Sequence, residues 1–484
     1  EELILRSIDA LPPPSTLTDH PRERAAVQLL LGHRRAISDT TVLEPGELID
    51  ALVFCCSPAA APLPQGPVEA HAVAACFERA RLRPLVGSGD AAKLRALICN
   101  HRPRVVHVIC HANAKHCRTG ESTLALTTEA GGVVTILRRT LVQLLSSVAA
   151  RERLELIFIN GCESGLMCEE LARRGVPAIG WDTLGLDDAC SIFAPGVYEC
   201  LLRRSVAPLA SAALREAFEQ GELAVKAVQR GGKDAFAVAD PQTQPRRADG
   251  SVGGRLPDGR LAAGVPVLLQ PLPQTALLSN QGAFPTLPSH YVPREEEQRL
   301  RAALLERVTP MLALCGSQAV TNSLAGVAGL GKTTIMTWLA HDVRVQTAFC
   351  DGICWLVFGQ DRDAFGRLRE LAEMQGMPRE QSDKLRDADD AVWQLQPLLQ
   401  GKRLLVMLDD VWRLKQAEPF KRLASGAVSV LLTTRKSEIV DFCGEQLLPL
   451  DPMVGAVALR VLVESSGKAE AALRGDSPKA LDAL

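Results

Sequence analysis

The sequence predicts an α/β protein in which a central sheet flanked by helices is built twice along the chain. Three observations predict it. Between about residues 51 and 232, apolar runs of strand length alternate with segments of helical period, the pattern of parallel strands joined by crossover helices. A Pro/Gly-rich stretch then breaks the periodicity, and the alternation resumes beyond residue 290. The composition is that of a folded chain with a sizeable core: 484 residues, 47% hydrophobic and 23% charged, which favours two to four domains over disorder.

The first set of strands is read at ALVFCC (51–56), RVVHVIC (104–110), LELIFI (154–159) and VPAIGW (176–181). Helices are expected at 67–81, 90–100, 137–149, 166–174, 186–204 and 207–230. Together they give a first domain at 51–239, preceded by an extension, 1–50, that the pattern does not assign. Residues 240–289 read as a connection, within which GVPVLLQPL is compatible with an edge strand of the first domain. A second domain, 290–484, opens on the helical REEEQRLRAALLERV and continues with strands at 320–325, 353–358, 403–408 and 428–433. No repeat of 20–50 residues is present in the sequence, which argues against a solenoid.

Charge and composition exclude several functions. Fifty-four Lys and Arg against 56 Asp and Glu leave a net charge of −2, so there is no global field for nucleic acid or an anionic membrane. Twelve Phe, five Trp and two Tyr are too few to favour a base-stacking platform. No apolar stretch reaches the roughly 18 to 20 residues of a membrane helix. Fourteen cysteines scattered through apolar segments read as reduced thiols, hence a cytoplasmic protein. The chain starts at Glu1 and stops at Leu484 within an Ala/Leu-rich run, and is expected to be a fragment at both ends, truncated C-terminally.

The string Gly326-Val-Ala-Gly329-Leu-Gly331-Lys332-Thr333-Thr334 fits GxxxxGK[ST] and precedes a helical segment. Such a loop lets successive backbone N–H groups and a helix N-terminus face phosphate oxygens. Lys332 is then expected on the β- and γ-phosphates and the Thr333 hydroxyl on Mg²⁺, a cation that prefers oxygen ligands. Downstream, RLLVMLDD reads as a buried strand ending in Asp409 and Asp410, one to hold Mg²⁺ through water and one to polarise the attacking water. The strand VSVLLTT ends in Arg435, suitably charged to sense a γ-phosphate.

These motifs, GVAGLGKTT, LLVMLDDVW and VLLTTR, resemble the phosphate loop, Walker B and arginine-sensor motifs of NB-ARC domains, within the STAND class of signalling NTPases. Tyr291-Val292-Pro293-Arg294-Glu295 is similar to that family's entry segment, with Pro293 where Gly is usual. The resemblance covers about 290–465 and implies ATP/ADP binding with Mg²⁺, slow ATP hydrolysis, adenine contacts from Val292 and Arg294, and a homo-oligomer on activation. No Gly-Leu-Pro lid motif, winged-helix segment or Met-His-Asp-type latch is found before Leu484.

In the first domain, alternation along 104–110 places Val105, His107 and Ile109 on one face and His111 at or just beyond the strand end. Fifty-one residues later, LELIFI runs into Asn160-Gly161-Cys162-Glu163-Ser164-Gly165. A His and a Cys displayed from neighbouring parallel strands suit a dyad: His111 orients or deprotonates the thiol, the thiolate attacks a peptide carbonyl, and backbone N–H groups, that of Cys162 among them, hold the oxyanion. His107 is expected to be a packed, hydrogen-bonded strand residue. Cys350 and Cys354 read as buried thiols. Zinc at Cys110, His111, His116 and Cys117 is disfavoured, because one eight-residue loop lacks two-cluster spacing.

The segments VVHVICHA and NGCESG are similar to the motifs of the CHAT family of caspase-related peptidases, as are GVPAIGW (175–181) and FAPGVY (193–198). Cys110 stands where that family usually has Gly and Gly161 where it has Ala. The resemblance implies a caspase-like sandwich with a cysteine endopeptidase site at His111 and Cys162. Asn160 occupies the position two before the nucleophile, and cleavage specificity is not readable.

The combination points to a signalling protein in which a nucleotide switch controls proteolysis of a protein substrate, with the trigger sensed by a C-terminal region outside this sequence. Two other readings stay open: a scaffold whose caspase-like domain only recruits partners, and a STAND-type transcription regulator with its DNA-binding module elsewhere.

Overall fold

The apolar runs of the first half become strands buried on both faces, so Ala51–Cys55, Val105–Ile109 and Leu156–Asn160 carry almost no solvent-facing side chain. The computed structural model describes residues 44, 46–115, 122–147, 153–204, 209, 211–230, 233–239, 256, 259–289, 291–306, 311–316, 331–424, 427–443, 447–450 and 455–466. The chain divides into two units, Glu1–Leu48 and Ile49–Leu484, and the second holds the described sheets.

Two six-stranded sheets organise it. The first runs Pro266–Leu269, Ala178–Trp181, Leu156–Asn160, Val105–Ile109, Ala51–Cys55, Pro84–Gly87, all parallel except Pro266–Leu269, which is antiparallel to its neighbour. The second runs Leu277–Ser279, Gly352–Val357, Leu404–Val411, Val428–Thr434, Met311–Gly316, Leu447–Leu450, all parallel. Residues 240–289, read as a connection, thus give an edge strand to each sheet. Their Pro and Gly are tolerable there because an edge strand needs ladder bonds on one side only. A further antiparallel sheet, His111–Lys115 with Ser122–Thr127 and Val133–Leu137, grows from the end of Val105–Ile109.

Helices cover the sheets where the period indicated, with local chemistry fixing their ends. Gly66–Arg79 starts with Pro at its first turn, and Asp90 caps Ala91–His101 by accepting the Lys93 N–H at 2.9 Å. Asp342, Asp363 and Asp387 cap their helices in the same way. The first core joins Phe77, Phe158, Trp181, Phe193 and Tyr198 beneath one face of the first sheet.

The strand expected at 320–325 lies outside the described residues, and Met311–Gly316 forms a strand of the second sheet. One expectation changes. The strand ending at Asp409–Asp410 instead continues to Val411 through a bulge, and Asp410 sits at φ +59°. The extra residue breaks the ladder and re-aims the two carboxylates, a use of bulges that hydrophobic periodicity does not reveal.

Candidate functional sites

At the carboxyl edge of the first sheet, two strand ends meet. Val105–Ile109 is followed by Cys110 and His111, and Leu156–Asn160 by Gly161 and Cys162. The two loops are in direct contact: a Cβ on Gly161 would lie 2.7 Å from the Ala112 Cβ and from the Cys110 carbonyl oxygen. Glycine at 161 is therefore set by this chain's own packing. Gly161→Ala is expected to cost about 1–3 kcal/mol through overpacking, seen as a lower midpoint in chemical denaturation. An unchanged midpoint would show that the loops separate freely.

Cys162 is partly buried, and its thiol donates to the Gly185 carbonyl at 3.7 Å. Burial pushes this thiol above the ordinary range, and the Glu163 and Asp187 carboxylates add to the effect against the Gly185 bond. The Cys162 backbone amide bears on its own thiol and favours the thiolate, a smaller effect than burial. Glu163 stands at φ +55° and donates its N–H to the Thr183 carbonyl at 3.0 Å. The positive φ of a non-glycine residue right after the thiol marks a tight strand-to-helix turn of the kind found at functional sites.

His111 bonds the Ala61 carbonyl through Nε2 at 3.1 Å and makes no hydrogen bond to Cys162. The loops of the two expected dyad members touch, while the rings and thiols themselves are engaged elsewhere. Asp187, which the sequence did not single out, accepts the Gln65 N–H at 3.0 Å, and its carboxyl is raised by burial and lowered by the nearby His111. Cys110 is fully buried beside Cys56 and Cys162, its thiol pushed well up.

Beneath this edge lies a buried polar network. His107 Nε2 is 2.7 Å from Glu69 Oε1 and its Nδ1 3.1 Å from the Tyr198 hydroxyl. Asn160 donates to the same Glu69 oxygen at 2.5 Å and accepts the Trp181 indole N–H at 2.6 Å. All five side chains are almost fully buried. His107 is thus a packed strand residue, and Asn160 is held inside the protein by Glu69 and Trp181.

At the carboxyl edge of the second sheet, Gly331 at φ +84° opens the helix Lys332–His341. Gly326 and Gly329 lie outside the described residues. The Thr333 hydroxyl donates to Asp409 at 3.0 and 3.2 Å, and the Thr433 hydroxyl to Asp409 at 2.6 Å. Burial raises the Asp409 carboxyl, and the two hydroxyls lower it. The Asp410 amide donates to Thr433 Oγ1 at 2.9 Å, so Thr433 holds the Asp409 carboxylate and the Asp410 backbone together, a role missed when only Arg435 was read from that strand. A buried carboxylate and a hydroxyl in contact are the hard oxygen donors that a Mg²⁺ ion takes.

Arg435 lies 4.0 Å from Asp410 and over the Trp412 ring at 5.2 Å. Thr334 follows in the helix's first turn. Val292 is buried, and Arg294 donates to Glu296 at 2.6 Å ahead of the helix Glu295–Glu306. Lys332→Ala is expected to weaken binding of a fluorescent ADP analogue roughly 10- to 100-fold, the worth of charge-assisted bonds to phosphate. Unaltered affinity would remove Lys332 from the site.

His116 and Cys117 lie outside the described residues. Among those described, no group of three or more His, Cys, Asp or Glu is placed to hold a metal, and no helix is long and apolar enough to cross a membrane.

Comparison with known proteins assigns both halves. A CHAT-domain family model matches residues 3–220, taking in the extension that the sequence pattern left unassigned, and an NB-ARC-domain model matches 301–452. The chain is 37% identical over 130 residues to disease resistance protein RGA2 of Solanum bulbocastanum, covering 25% of this chain and 13% of that protein. It is 27% identical over 182 residues to regulatory protein AfsR of Streptomyces coelicolor, covering 35% and 17%. The chain therefore spans less than a fifth of either relative. The crystal structure of the Drosophila initiator caspase Dronc aligns with 40% of this chain and 83% of its own, at 8% identity and a TM-score of 0.24.

Proposed function

We propose that this chain, a CHAT domain joined to an NB-ARC domain, is a signalling protein in which the nucleotide bound by the second domain controls a cysteine endopeptidase in the first. The observation that supports it best is that each sheet presents a distinct chemical site at its carboxyl edge. Cys162 and the His111 loop stand at one, Lys332, Thr333 and Asp409 at the other. Cys162 is the nucleophile, His111 its base, and the Cys162 amide an oxyanion donor. ADP and ATP bind at Gly326–Thr334, with the adenine against Val292 and Arg294. Mg²⁺ would be held by Thr333 and Asp409 and would screen phosphate charge; Asp410 orients the attacking water and Arg435 senses the γ-phosphate.

In this reading the cytoplasmic ADP form is closed, a trigger sensed by a region outside this sequence promotes exchange, and oligomerisation turns on cleavage of a protein substrate. Nucleotide switching requires contacts to the γ-phosphate that exist in one conformation only. A second reading, an NB-ARC scaffold whose CHAT domain only recruits partners, is favoured by the raised thiol and by the absence of a His111–Cys162 hydrogen bond in this state. A third reading is a STAND-type transcription regulator whose DNA-binding module lies outside this sequence. Iodoacetamide kinetics against pH separate the first two. With a triggering ATP analogue, an alkylation midpoint well below the ordinary thiol value supports the peptidase, whereas a rate still rising past pH 9 under every condition supports the scaffold.

A further inference from the structure

A bridge of charge joins the two domains directly behind Cys162. Arg344, in the first turn of the short helix Val343–Ala348 of the second domain, forks onto Asp182 of the first, with Nη1 and Nη2 each 2.8 Å from a carboxylate oxygen. Its Nε donates to Glu169 at 3.1 Å. Arg301, from the helix Glu295–Glu306, donates to Asp342 at 3.0 Å and reaches Glu169 at 3.4 Å. Arg173 completes the set on Glu169, so three guanidinium groups meet three carboxylates. Glu169 and Asp342 are nearly fully buried. Beside them the Thr347 hydroxyl bonds both the N–H and the carbonyl of Gln270, at 2.9 and 3.2 Å, just past the edge strand Pro266–Leu269.

Both first-domain carboxylates lie on the segments that flank the Cys162 turn. Asp182 precedes Thr183, whose carbonyl accepts the Glu163 N–H, and Gly185, whose carbonyl accepts the Cys162 thiol. A Cβ on Gly165 would fall 2.1 Å from Asp182 Oδ1, so the helix Gly165–Arg173 starts against this carboxylate with no room between. Glu169 lies on that same helix. On the other side, Asp342 caps the helix carrying Arg344 and directly follows the helix Lys332–His341, whose first residue is the phosphate-loop lysine.

We infer that Arg344 is a positioning residue for the Cys162 turn, supplied by the nucleotide-binding domain: it holds Asp182 and Glu169 in the resting arrangement, and its release frees the turn to bring Cys162 to His111. This rests on the reading of Cys162 as nucleophile. A shift of the helix that begins at Lys332 moves Asp342 and Arg344 together, which links the phosphate site to the thiol through one continuous element.

The test uses the full chain with ADP, reading iodoacetamide alkylation of Cys162 by mass spectrometry. Arg344→Met and the isosteric Asp182→Asn are expected to speed alkylation about tenfold, within the usual range of coupling between sites. The conservative variant Arg344→Lys, which keeps a cation facing Asp182 and Glu169, is expected to be alkylated more slowly than Arg344→Met, a rescue that follows the charge at 344. Wild-type rates in Arg344→Met and Asp182→Asn, or Arg344→Lys as fast as Arg344→Met, would overturn the inference. Equal wild-type rates with ADP and a non-hydrolysable ATP analogue, together with fast single variants, would instead reject nucleotide control while leaving the Arg344 contact established.

Discussion

Cys162→Ala is expected to abolish cleavage of a fluorogenic peptide by the proposed peptidase, lowering kcat/KM by roughly 10³-fold or more, while leaving the denaturation midpoint close to wild type. The size follows from chemistry: without the thiolate there is no covalent intermediate, and general base and oxyanion donors acting on water recover only a small part of the rate. The small effect on stability follows from position. Cys162 is only partly buried, and its thiol's contact to the Gly185 carbonyl is long and weak beside an N–H or O–H donor. Persistent cleavage by the alanine variant would place the nucleophile elsewhere and return the first domain to a recruiting role.

His107→Ala is expected to cost about 2–4 kcal/mol of folding stability at neutral pH, the sum of a cavity in the core and of buried hydrogen-bond partners left unpaired. Glu69 would keep only Asn160 of its two hydrogen-bond partners, in a site shielded from water. The pH dependence has a definite sign. Burial already raises the Glu69 carboxyl in the folded protein, and losing His107 raises it further. A folded value above the unfolded one means that the penalty is full above the folded value and vanishes below the unfolded one. The gap between variant and wild type should therefore narrow as pH falls toward the ordinary carboxylate range, measured by urea denaturation between pH 7 and 4. A gap independent of pH would exclude an ionised Glu69 as its cause.

Much of the fold was legible because the signals are local. The segments LIFI of Leu156–Asn160 and LLVML of Leu404–Val411 are short apolar runs of strand length, and Asp90 announces the helix Ala91–His101 that follows it. The placement of His111, Cys162, Lys332 and Asp409 at sheet edges follows from those strands. What was not legible is tertiary. Glu69 meets His107 across 38 residues and Asn160 across 91, and Arg344 meets Asp182 across 162, distances at which no periodicity carries information. The edge strands Pro266–Leu269 and Leu277–Ser279 were obscured for a different reason: their Pro and Gly neighbours carry the composition of a linker, and only pairing with Ala178–Trp181 and Gly352–Val357 makes them strands.

The proposed switch requires that the nucleotide site command the thiol site. The most direct measurement is the initial rate of peptide cleavage by the full chain, loaded in turn with ADP and with a non-hydrolysable ATP analogue, beside Lys332→Ala. Nucleotide control requires cleavage to be at least about fivefold faster with the ATP analogue, a coupling at the lower end of those between linked sites, and the difference to be lost in Lys332→Ala. Equal rates in the two nucleotides, from a protein shown to bind both, would contradict it.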